Sequence, residues 1–90
     1  MSSADPADLR REILRALYLR RAAALSSGHL ATILTRKTGE PVTPGETLNE
    51  IKFLTGMSFV EAVTDPLGST TNHNLTPDGL LYCERNDLTD

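Results

Sequence analysis

Three pairs of residues do most to limit what this chain can become: Asp5-Pro6, Thr43-Pro44 and Thr76-Pro77. In each, a side chain able to accept a hydrogen bond from the first turn of a helix precedes a proline. The proline's fixed φ suits the first helical position, and its missing N–H costs nothing there. A chain with three such starts in 90 residues is punctuated into helices. The stretch marked at both ends is Thr43 to Gly56, TPGETLNEIKFLTG, where Glu46 stands three residues after the cap, as in a capping box, and Gly56 offers a stop. Leu48, Ile51 and Leu54 recur there at helical spacing as an inner side, with Glu46, Asn49, Glu50 and Phe53 opposite.

The other elements fall into place around this one. Leu9, Ile13 and Leu17, with Leu14 and Tyr18 beside them, give a first helix running from Pro6 to about Arg21. Arg11 and Arg15 lie off its apolar stripe, and Glu12 is spaced to pair with Arg15. Ser26 caps a second helix over residues 27–36, stapled by Leu25 and Leu30 and buried through Leu30, Ile33 and Leu34. Thr38 to Pro41 break it. After Gly56 the period turns to alternation: Met57, Phe59, Glu61 and Val63 on one face, Ser58, Val60 and Ala62 on the other. A turn-rich loop at 65–69 and a polar return over 70–74 complete a β-hairpin. A short last helix carries Leu80, Leu81 and Cys83. Residues 1–4 and 86–90 read as flexible tails, leaving 5–85 as one domain, mainly α with a small β-hairpin (α+β).

Composition narrows the function. With 39% hydrophobic and 23% charged residues the chain is of globular type, and it has no apolar run able to span a membrane and no secretory signal pattern. A cytoplasmic protein is the expectation, and the lone Cys83 agrees with a reducing compartment. His29, His73 and Cys83 lack the close spacing of a metal site, so neither a metal nor another cofactor is expected. No phosphate-cradling Gly-rich loop and no nucleophile with a nearby base is present, so no catalytic residue is assigned and an enzyme is not expected. Charge is unevenly spread. Residues 1–45 hold seven Lys/Arg against four Asp/Glu, and residues 46–90 hold two against eight.

Three helices, a hairpin and a short closing helix, in that order, resemble the winged helix-turn-helix superfamily, over roughly residues 9–84. The resemblance rests on the apolar first helix, on Leu25-Ser26 with Leu30 and Leu34, on the string Ile51-Lys52-Phe53-Leu54-Thr55-Gly56-Met57-Ser58-Phe59-Val60, and on Leu75-Thr76-Pro77-Asp78-Gly79-Leu80. The third piece looks like that superfamily's passage from recognition helix into a two-stranded wing. The fourth is similar to the Leu-Thr-Pro-x-Gly that often follows the wing in small bacterial or phage-type transcriptional regulators. The resemblance implies a DNA-binding transcription regulator that inserts the helix at 44–55 into the major groove of duplex DNA, often as a homodimer. It assigns Thr47, Asn49 and Lys52 as base readers and Gly45 as a point of close approach. Arg36 and Lys37 become phosphate partners, with Arg11, Arg15, Arg20 and Arg21 also available.

The sequence also departs from that pattern. Glu46 and Glu50 stand on the outer half of the helix at 44–55, where carboxylates would oppose phosphate unless neutralised. The wing from Asp65 to Asn74 holds no Lys or Arg, and Ser58 stands where Gly is common. A second function therefore stays open: a winged-helix protein-interaction module in which Glu46, Glu50 and Phe53 meet a protein partner.

Overall fold

The computed structural model describes residues 5–64, 66–68 and 71–89. The expected tail at 1–4, part of the wing's turn and Asp90 lie outside the described residues. The element order is α1 (Pro6–Leu19), β1 (Leu25–Ser26), α2 (Ser27–Thr38), α3 (Pro44–Gly56), β2 (Val60–Thr64), β3 (Thr71–Leu75) and α4 (Pro77–Arg85).

Every helix starts at the cap its sequence marks. The side chains of Asp5, Ser26, Thr43 and Thr76 accept from the backbone N–H of Ala7, His29, Glu46 and Gly79. Such a bond satisfies one of the orphan donors of the first turn and stabilises a helix by about 1 kcal/mol.

Helix ends were harder to place. Helix α1 stops at Leu19, two residues short of the expected Arg21, while α2 continues past Arg36 to Thr38 and closes on Gly39 in the left-handed region, φ 75°. Gly56 does not stop α3. It is the last helical residue, and the chain turns at Ser58, φ 65°. There Ser58 N–H donates to Thr55 O at 3.0 Å and Phe59 N–H to Leu54 O at 3.0 Å, the paired bonds of a Schellman motif. Ser58 thus occupies the one position of that motif where glycine is favoured. Helix α4 ends similarly: Asp87 has φ 57°, and Leu88 N–H donates to Cys83 O at 2.9 Å. This turn carries Leu88 into the core, where it is buried, so residues 86–89 are tied to the domain rather than forming the expected tail.

The sheet has one more strand than the sequence suggested. β1 pairs antiparallel with β3 (Leu25 opposite His73, Ser26 opposite Asn72), and β3 pairs with β2 from Val60–Leu75 to Thr64–Thr71, giving the order β1-β3-β2. Two-residue β1 carries no alternation by which to recognise it. Among the described residues of the hairpin, Val60, His73 and Leu75 are the buried ones.

The core gathers all four helices and the wing base around Ile13, Leu17, Leu30, Leu34, Ile51 and Val60. Cys83 is fully buried, with its Sγ 3.6 Å from Leu14 O. Burial, and then the neighbouring Glu84, push its thiol up to about 11 against an opposing pull from Arg15, so it remains protonated and packs as a small apolar side chain. Gly79 explains the last string of the resemblance. A Cβ there would lie 2.0 Å from Phe59 O, so the first turn of α4 reaches the wing base only because residue 79 has no side chain. Thr76 N–H donates to that same carbonyl at 3.0 Å. No helix among the described residues is long and apolar enough to cross a membrane.

Candidate nucleic-acid interface

The hydroxyl of Thr35, on the last turns of α2, accepts from Val42 N–H at 3.0 Å and lies 3.3 Å from Val42 O. This pins the connection just before the Thr43 cap, so the exposed Arg36 and Lys37 follow directly on the residue that holds the start of α3.

Along α3 the buried residues are Thr47, Ile51 and Leu54. The inner side is therefore rotated from the expected one. Leu48 is only half-buried, and Thr47, expected among the base readers, is fully buried with its hydroxyl donating to Thr43 O at 3.0 Å. A short hydroxyl that bonds to its own preceding turn can be buried at little cost, which pattern reading by residue polarity does not anticipate. Thr47 is a core residue here and is withdrawn as a base reader. Opposite this side lie Gly45, Asn49, Lys52 and Gly56, all exposed and spaced at i, i+4, i+7 and i+11. This strip contains no carboxylate.

Glu46 and Glu50 sit on the flank between the strip and the core. The Glu46 carboxylate accepts from the Thr43 hydroxyl at 3.3 Å, within the cap. Glu50 accepts from Arg10 Nε of α1 at 2.7 Å, and its side chain is only 15% exposed. The same guanidinium lies 3.6 Å from the centroid of the Phe53 ring. Phe53 is 45% exposed, but the face it turns to α1 is covered by Arg10. Glu46, Glu50 and Phe53 are therefore not one outward anchor: two of them are joined to α1. Arg10 is the residue that sequence reading missed. No local signal could have found it, because its partners lie 40 residues and more away and are brought near only by the crossing of α1 and α3.

The other arginines of α1 divide into two groups. Arg11 and Arg15 pair with Asp8 and Glu12 one turn away, as expected for Arg15. Arg20 and Arg21 are exposed past the end of the helix, where Arg21 donates to Tyr18 O at 2.8 Å and stacks on the Tyr18 ring. Of the α1 arginines offered as phosphate partners, these two are free of carboxylates among the described residues. In the wing, His73 stands in the middle of the sheet between Leu25 and Ala62, buried, with Nδ1 lacking a partner among the described residues. Burial pulls its pKa below the ordinary 6.5, so the imidazole is held neutral. No group of three or more potential metal ligands occurs among the described residues.

Helices α1 to α3, the β2–β3 hairpin and α4 have the winged helix-turn-helix fold, with α3 directly before the hairpin. Solved structures share this architecture. A mutant of S. aureus MepR bound to an oligodeoxyribonucleotide superposes with a TM-score of 0.75 at 19% identity, over 86% of this chain and 52% of that one. A mutant of Lactococcus lactis ZitR gives 0.72 at 12% identity, over 97% and 54%. A protein of Archaeoglobus fulgidus gives 0.71 at 17% identity, over 89% and 81%. The chain thus spans about half the length of the MepR and ZitR structures. Neither a protein-family model nor a curated protein matches the sequence.

Proposed function

We propose that the chain is a winged-helix DNA-binding domain of a transcription regulator, with α3 reading the major groove of duplex DNA. The observation that carries this reading is the outward strip of α3. Gly45, Asn49, Lys52 and Gly56 are exposed in line, and the carboxylates that would have opposed phosphate are held in the cap or by Arg10. Asn and Lys suit the edges of adenine and guanine, respectively, and the two glycines let the helix approach closely. Arg36, Lys37, Arg20 and Arg21 are the candidate phosphate contacts, which supply affinity and salt dependence. The DNA-bound MepR structure is the precedent for this fold on an oligodeoxyribonucleotide. Nothing in this role requires chemistry from the chain, and a homodimer on paired half-sites is the assembly it favours.

Fluorescence anisotropy on a random duplex, run at low and at moderate salt, tests the proposal. Retention at low salt should weaken as salt rises, and Lys52→Ala and Arg36→Ala should each weaken binding, with Arg36→Ala lowering the slope of log K against log salt by about 0.9. Absence of binding at low salt, where counterion release is most favourable, would remove the reading. The protein-interaction alternative loses its main support, since Glu50 and one face of Phe53 are already occupied by Arg10.

A further inference from the structure

Arg10 divides its guanidinium between two residues of α3. Its Nε donates to Glu50 Oε1 at 2.7 Å, and its Cζ stands 3.6 Å over the Phe53 ring. A planar, permanently charged guanidinium can bond through its edge while stacking through its face, which an ammonium cannot do. Glu50 and Phe53 are three residues apart and so adjoin on one side of α3. That side borders the Gly45–Asn49–Lys52 strip.

The Glu50 charge is thereby balanced beside the surface offered to DNA.

We infer that Arg10 is a positioning residue for duplex DNA binding: it holds the Glu50 carboxylate off the phosphate backbone beside the strip that carries Asn49 and Lys52, without itself contacting DNA. This rests on the DNA-binding reading above.

The test compares wild type, Arg10→Gln, Glu50→Gln and the double variant by anisotropy on one labelled random duplex, together with thermal melts of the free proteins. Arg10→Gln should weaken DNA binding roughly tenfold by leaving a bare carboxylate near phosphate. Glu50→Gln should tighten binding, since it removes a negative charge and frees a positive one. The double variant should recover most of the loss. If it stays as weak as Arg10→Gln, Arg10 acts through a DNA contact of its own or through packing on Phe53, and the inference fails. It also fails if Arg10→Gln binds like wild type. The melts separate this from failure of the underlying reading: a positive coupling between positions 10 and 50 in the free proteins establishes the clamp independently of DNA. With that coupling present and no wild-type binding at low salt, it is the DNA-binding reading that falls, and the positioning role with it.

Discussion

Helix α3 and the wing lie side by side and are held in opposite ways. Helix α3 is anchored along its whole length, by Thr47, Ile51 and Leu54 on the inside, by Arg10 on one flank and by the Thr43 cap at its start. Among its described residues the wing is anchored at its foot: Val60, His73 and Leu75 are buried, whereas Glu61, Ala62, Val63 and Thr64 are exposed. Under the proposed DNA-binding function, the difference matches two tasks. A helix that reads base edges must keep its side chains in register with the groove, so its rotation has to be set before binding. A hairpin that follows a neighbouring backbone needs only a fixed base, and this one, without Lys or Arg, brings no positive charge.

The contrast can be broken most severely from inside α3. Ile51→Ala, at a side chain 1% exposed, should cost about 3 kcal/mol in urea unfolding, while Val63→Ala, on the exposed part of β2, should stay within about 0.5 kcal/mol. Equal losses at the two sites would erase the distinction between helix and wing. Next comes the joint between the two: Gly79→Ala forces a Cβ toward Phe59 O and should cost about 2 kcal/mol or more, measured in the same way. A gain is expected at the turn leading from α3 into the wing. Ser58→Gly relieves a left-handed backbone and should raise stability by about 0.5–1 kcal/mol, seen as a higher melting temperature. A decrease would mean that the Ser58 side chain has a role that its backbone geometry does not reveal.

The gentlest probe is pH at the foot of the wing. His73 is harder to protonate in the folded chain than in the unfolded one, so the unfolded state binds more protons once the pH falls below the ordinary 6.5. The stability associated with neutral His73 is full above that value and is lost progressively as pH drops toward the lowered native value. Melting temperature should therefore fall on acidification through this range, and His73→Gln should remove that part of the slope. An unchanged slope in the variant would assign the acid sensitivity to other groups.

Much of the scaffold was legible in the residues. The four caps, the three prolines, the order of helices and hairpin, and the leucines at 25, 30, 34 and 75 all appear where pattern placed them. The errors have a common origin. The winged-helix resemblance assigns Thr47 as a base reader, yet its hydroxyl bonds to Thr43 O and is satisfied within the core. Residues 86–90 looked like a tail because one leucine in a polar stretch carries no period, yet a left-handed Asp87 folds Leu88 back. Gly56 looked like a stop, but the turn fell at Ser58. Of the candidate DNA residues, Arg36, Lys37, Gly45, Asn49 and Lys52 are all exposed, so the structure leaves them available for the proposed role.

The sequence by itself determined where helices begin, because a cap and its proline act within one turn and need no other part of the chain. It also determined that α3 would have a buried and an open side, because helical periodicity is local. Which residues fall on each side, and whether the carboxylates beside the open one are paired, was decided only by tertiary structure. Glu50 meets Arg10 from 40 residues away, and β1 finds His73 across the fold. Such meetings depend on the angle at which helices cross and the register in which strands pair, and no short stretch of residues encodes either.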